Sequence, residues 1–204
     1  MAPKIPKMPE HSFRTNVLLK SVLGKDLIND DDIAVQELVK NSYDATASNI
    51  GVIFENLKSN DDLGANSYSK KSEKTSRIIV RDDGKGMDIG DVDSKWLNIA
   101  YSEKKEMKED MGRMLAGNKG VGRFSCDRLG EYLDLYSRKS GKAYVHVFLD
   151  WKKFEIENEI DLQIQAVEVS VEEIDAKNFE SKTGLKAFSH GTTSAKTPTR
   201  FRRF

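Results

Sequence analysis

Three short strings in a fixed order constrain this 204-residue chain more than any other feature. The first is Glu37-Leu38-Val39-Lys40-Asn41-Ser42-Tyr43-Asp44-Ala45, and the second is Asp82-Asp83-Gly84-Lys85-Gly86-Met87. The third is Gly117-Asn118-Lys119-Gly120-Val121-Gly122-Arg123-Phe124-Ser125. Each alone is a weak signal. The first also suits a solvated helix face, the second a common Asp-Asp-Gly turn, and the third a flexible glycine loop. Together they supply a carboxylate and an amide on one helix, an acid at a strand end, and a glycine turn entering a helix. That set reads as a nucleotide site.

Glu37, Asn41 and Asp44 are spaced i, i+4 and i+7, so on a helix they share one stripe. Flanking Ala34, Leu38 and Ala45 put this polar line at the edge of the buried face. A carboxylate there can deprotonate water, and an amide oxygen can ligate Mg²⁺ without adding negative charge beside phosphates. The second string follows the apolar strand Ile78-Ile79-Val80. An acid just past a strand end can accept a hydrogen bond from adenine's exocyclic amine, whereas guanine presents a carbonyl there. Gly84 and Gly86 allow backbone to approach the ring closely. In the third string, successive free N–H groups at a helix start can hold phosphate. Gly-Lys-Ser/Thr does not follow, so this is no Walker loop. Ser125 stands where a Rossmann fingerprint needs its third glycine.

The order and spacing of these strings resemble the GHKL ATPases, the group of gyrase, heat-shock chaperone, histidine kinase and MutL. Among them the chain is most similar to MutL-, MORC- and chaperone-like bacterial proteins. The resemblance implies Glu37 as general base and Asn41 as the magnesium ligand, with Asp44 shaping the pocket. It implies Asp82 as the adenine reader, with Gly84, Gly86 and Met87 lining the base pocket and Asp83 as a turn residue. Gly117, Gly120 and Gly122 would hinge a lid, with the backbone of Val121 through Phe124 facing the triphosphate and Lys119 and Arg123 near its path. Lys104 or Ser102, in the segment entering the lid, would touch phosphate; a solvated lysine is the alternative. His190-Gly191-Thr192 matches the Gly-Thr that joins the aspartate–adenine network, which assigns Thr192. The cofactors implied are ATP and Mg.

The fold expected is α+β: a two-layer α/β sandwich with helices over a largely antiparallel mixed sheet, the Bergerat ATP-binding fold. A helix is expected over 32–45, after the acidic start Asn29 to Asp32. Strands are expected at 50–57, 77–81, 132–137, 144–149 and 162–171. Short helices are expected at 96–101, 121–129 and 171–179, and a polar hairpin loop between Lys58 and Ser76. The domain boundaries expected are an arm over 1–12, which carries three of the four prolines, an ATP-binding domain over 13–193, and a basic tail over 194–204. The resemblance implies an apolar strand and a further domain after Gly-Thr. Ser194 onward lacks that alternation, so the tail is read as an aberrant end left by truncation, with a basic arm as the alternative.

Composition restricts the partners. Formal net charge is zero, which gives bulk electrostatics no reason to draw nucleic acid or an anionic membrane. No apolar run approaches the ~20 residues of a bilayer span. A single cysteine, Cys126, suits a reducing compartment and a cytoplasmic setting. The leading expectation is slow Mg-dependent ATP hydrolysis by the N-terminal switch domain of a larger ATPase, with an ATP-dependent homodimer in the full-length protein. A histidine-kinase catalytic domain and an ATP sensor without hydrolysis are the alternatives. The client, or any nucleic acid partner, is left open.

Overall fold

The computed structural model describes residues 31–56, 76–98, 109–110, 113–114, 129–151 and 169–197. Helix α1 (Asp31–Asp44) opens on Asp31 and Asp32, whose charges favour the positive end of the helix dipole. It buries Ala34, Leu38, Ser42 and Asp44. Its end is tight: the Thr46 N–H donates to the Tyr43 carbonyl, and the Ala47 N–H to the Ser42 carbonyl. Thr46 closes this motif at φ 62°, a left-handed conformation that a β-branched residue resists. Thr46→Gly should therefore raise unfolding free energy by about 0.5–1 kcal/mol, read as a higher urea midpoint.

Strands β1 (Ile50–Glu55) and β2 (Arg77–Asp82) form an antiparallel hairpin. After β2 the chain makes a short helix α2 (Ile89–Asp91), which runs on into a π-helical turn, Val92–Trp96. Asp88 starts it with a reciprocal capping box to Asp91. Two short strands, β3 (Glu109–Asp110) and β4 (Arg113–Met114), pair with each other. Then come β5 (Tyr132–Arg138), β6 (Tyr144–Asp150), β7 (Ser170–Ile174), helix α3 (Ala176–Thr183) and β8 (Gly191–Thr197). The six-stranded sheet runs β1-β2-β8-β5-β6-β7. Every pairing in it is antiparallel. The α+β expectation holds.

Register decides which side chains share a face. Ile78 and Val80 of β2 lie with Leu133, Leu135, Val145, Val147 and Leu149 in one core cluster, which also takes in Ala34 and Leu38 of α1 and Val92 and Leu97. The other face carries a ring cluster of Tyr136, Tyr144, Ile174 and Phe179. That second cluster reaches the site through one hydroxyl. Tyr144 Oη donates to the Phe188 carbonyl at 2.6 Å and accepts from the Phe188 N–H at 2.6 Å. The loop entering β8 is fixed there, and Arg138 donates to the same carbonyl at 2.9 Å.

Three sequence expectations need correction. The helix read over 171–179 is strand as far as Ile174, and helix begins only at Ala176. Asp175 marks the switch, its carboxylate accepting from the Asn178 N–H. Of the helical piece read at 96–101, Trp96 alone among the described residues is wound, as the end of a stretch over Ile89–Trp96, and Leu97 and Asn98 follow outside it. The tail read from Ser194 is strand as far as Thr197, so a boundary at 193 falls inside β8. This strand sits between β2 and β5, where small buried residues such as Thr193 and Ala195 replace an apolar alternation. The arm 1–12, most of the loop after Lys58, residues 99–101, 121–128 and 162–168 of the expected helices and strands, and 198–204 lie outside the described residues.

Candidate functional site

The central strand β8 brings the end of the chain's described part against the second string. Asp82 is the last residue of β2, and Thr192 pairs with it directly. Asp82 Oδ1 accepts the Gly84 N–H at 3.0 Å and the Thr192 N–H at 3.2 Å. Its Oδ2 accepts the Ser42 hydroxyl of α1 at 2.8 Å. Three donors from three segments thus hold one carboxylate, which is buried at 8% exposure. Burial pushes its pKa above the ordinary aspartate value, against the opposing pull of those hydrogen bonds.

The glycines are there because backbone passes backbone. A Cβ on Gly84 would lie 2.7 Å from the Ala45 carbonyl oxygen, which is the acceptor for the Lys85 N–H at 2.9 Å. That contact ties the second string to the end of α1. Gly86 has φ +65° and packs against the Arg138 carbonyl. Gly191, at φ +123°, lies against the Asp82 carbonyl. The His190 Nδ1 sits 3.0 Å from the Gly84 carbonyl, so the ring donates there and closes the turn from the β8 side.

Asp83 does more than turn the chain. Its Oδ1 accepts the N–H groups of Ser48 and Asn49 at 2.7 and 2.8 Å, and its Oδ2 accepts from the Asn49 side chain at 2.8 Å. These bonds, led by the Asn49 amide, hold its pKa below the ordinary value. The adjacent acids consequently play opposite parts: Asp83 stays paired at the surface, and Asp82 is buried.

On α1, Glu37 is half-buried and meets the Lys40 ammonium at 2.7 Å. Asn41 is exposed one turn further on, and Asp44 is buried. Met87 packs against the main core cluster, and its N–H donates to Ser137 at 2.8 Å. Sequence reasoning missed Ser42 and Ser137, because a lone serine shows no pattern until its partner, 40 or 50 positions away, is in place. Lys104, Gly117, Lys119, Gly120, Val121, Gly122, Arg123 and Phe124 lie outside the described residues.

In the described geometry Gly84, Thr192 and Ser42 of α1 hold the Asp82 carboxylate, while Gly86 and Met87 continue the same turn against Arg138 and Ser137. The family description "Histidine kinase-, DNA gyrase B-, and HSP90-like ATPase" matches residues 30–192, most of the chain. The chain belongs to this ATPase family. Within it, the chaperone protein HtpG of Sulfurovum sp. strain NBC37-1 is 27% identical over 150 residues, covering 69% of this chain and 24% of that protein. A Herpetosiphon aurantiacus protein provisionally named type II restriction enzyme HgiDII is 24% identical over 150 residues, covering 73% and 21%. HtpG of Rhizobium etli is 26% identical over 143 residues, covering 64% and 22%. The chain spans a fifth to a quarter of the length of these curated relatives. Among the described residues, no helix is long and apolar enough to cross a membrane.

Proposed function

We propose that this domain binds Mg-ATP and hydrolyses it slowly, as the nucleotide switch of a larger ATPase. The observation that carries the reading is the Asp82 carboxylate, held by Gly84, Thr192 and Ser42 with acceptor capacity left over. Each carboxylate oxygen has two lone pairs, so Oδ2 keeps one for a ligand donor. Adenine's amine is such a donor. Gly84, Gly86 and Met87 are the adjoining base pocket in this reading, and Thr192 its far wall.

The donor set fits magnesium carried in by phosphate. Among the described residues no group of three or more His, Cys, Asp or Glu side chains is placed to hold a metal. Mg²⁺ needs no such cage, since it takes one or two protein oxygens and fills the rest from phosphate and water. The exposed Asn41 amide would be that protein oxygen. When bound, the ion would neutralise phosphate charge; the chain's own part is to place the amide and the base on one helix.

Glu37 is the proposed base, one turn before Asn41, with Asp44 shaping the same end of the pocket. To accept a proton from water it must share or release Lys40. Glu37→Ala should leave ATP affinity within about twofold of the parent and lower turnover at least tenfold, because a base acts on water and not on the ground-state ligand. Calorimetry with a phosphate-release assay reads both. Unchanged turnover would remove Glu37 from the chemistry. The Lys40 ion pair also favours a second reading, an ATP sensor that holds nucleotide without turning it over; phosphate release at background level with intact binding would select it.

The glycines of the third string, with Lys104, Lys119 and Arg123, are proposed as the phosphate side of the site on the strength of the family match. ATP-dependent dimerisation, a cytoplasmic setting and a chaperone- or nuclease-linked role for a longer protein are proposals of the same kind.

A further inference from the structure

Asp82, Thr192 and Ser137 stand in one row across three strands. Thr192 pairs with Asp82 on one side and with Ser137 on the other, so alternation sends all three side chains to the same face. Ser137, at 0% exposure, is the most deeply buried of the three.

A hydroxyl has one proton to give and two lone pairs to fill. The Met87 N–H, 2.8 Å from Ser137 Oγ, can only donate. The Gly191 carbonyl, at 3.2 Å, can only accept. These two contacts use the Ser137 proton and one lone pair. Thr192 Oγ1, at 2.9 Å, can take either role, and the remaining lone pair on Ser137 calls for a donor.

We propose that Ser137 is a positioning residue that sets the hydrogen-bond polarity of Thr192, and through it the choice of purine. With its proton turned inward to Ser137, the Thr192 hydroxyl offers only lone pairs toward a ligand beside Asp82. A carboxylate and a hydroxyl committed as acceptor then form a continuous acceptor wall. A purine with a 6-amino group matches that wall, and a 6-oxo purine sets its carbonyl against it. Ser137 also holds the Met87 amide, so one side chain fixes the far end of the base turn and the polarity of the wall. The inference rests on the nucleotide reading above.

Removing the Ser137 oxygen frees the Thr192 proton to turn outward and meet a carbonyl. A serine that served packing alone would, when removed, weaken all nucleotides in parallel and leave their ratio unchanged. Calorimetry on the full chain with ATP and inosine triphosphate, whose bases differ in the 6-substituent and in the proton that the 6-oxo form carries on N1, separates the two. For Ser137→Ala the ATP preference should narrow about tenfold, a ~1.4 kcal/mol change. Thr192→Val keeps the N–H that donates to Asp82 and removes the hydroxyl, so it should narrow the preference as well. The double variant should match Thr192→Val alone, because Ser137 acts on selectivity through that hydroxyl.

If Ser137→Ala does not fold, the sign of the Thr192→Val effect decides. Narrowing supports an outward acceptor. Widening, or no change, overturns the inference and shows an outward donor or a silent hydroxyl. A parent chain that binds ATP while both variants keep its ATP-to-inosine ratio overturns the polarity inference alone. A parent chain that binds neither nucleotide overturns the nucleotide reading, and this inference with it.

Discussion

Alanine at Gly86 or at Gly191 should destabilise the fold by about 3–5 kcal/mol and abolish nucleotide binding in the same step. A Cβ at Gly86 would overlap the Arg138 carbonyl oxygen, and one at Gly191 would overlap that of Asp82. Neither obstacle is a flexible side-chain tip. Both are strand backbone, so relief requires pulling the Asp82–Met87 turn away from β5, or β8 away from β2. Positive φ adds its own strain at both positions. Gly141 provides the control, since it has φ +74° and a Cβ there would meet nothing within 4 Å. Gly141→Ala should cost only the conformational share, ~1–2 kcal/mol. Urea titration of the three variants checks the ranking, and comparable losses at all three would show that the close approaches carry no weight.

Asp82→Asn should lower affinity for ATP and ADP equally, by about ten- to a hundredfold. A hydrogen bond to a charged acceptor contributes roughly 1.5–3 kcal/mol. An asparagine can meet the Gly84 and Thr192 N–H groups with its oxygen, which places its NH₂ where Oδ2 now receives Ser42. That NH₂ faces a ligand amine as donor against donor. Titrating with both nucleotides reads the effect, and an ADP loss much smaller than the ATP loss would place Asp82 near phosphate instead of base.

The same carboxylate gives binding an acid limit. Burial raises the Asp82 pKa, so on acidification it takes up a proton before an exposed aspartate would. ATP affinity should fall over that range, and Asp82→Asn should flatten the profile. The sign for stability is opposite. A raised folded pKa means the contribution of this group is fully present below its unfolded pKa and is lost as pH rises through the folded one. Ionised Asp82 is therefore a cost to the fold at neutral pH, tolerated at a place where an acceptor is needed.

Much of this was legible in the sequence. Acidic residues before an apolar stripe placed α1 within a residue at each end, a β-branched run placed β2, and two stretches joined by a turn around Ser140-Gly141 placed β5 and β6. Asp82 could be named because the resemblance supplies the pattern Asp-x-Gly-x-Gly after a strand; the residues alone also suit a common turn. What escaped notice depends on distant partners. β8 is built of Thr, Ser and Ala, and its stability comes from ladders on both edges, so no apolar period announces it. Ser42 and Ser137 gain meaning only when α1, β5 and β8 converge on one turn. The Val171–Phe179 stretch misleads because its apolar spacing suits a helix; the exposed Glu172 and Glu173 belong to a strand at the sheet edge.

The most direct test of the account is a titration of the full chain with ATP and with GTP, each with magnesium, in one calorimeter. The two share phosphates, sugar and metal, so their difference reports the base reader alone. With Asp82 as an ionised acceptor aimed at an exocyclic amine, ATP should bind at least tenfold more tightly than GTP, a gap of ~1.4 kcal/mol or more. Equal affinities would contradict the account, because a carboxylate held by Gly84, Thr192 and Ser42 would then be reading nothing.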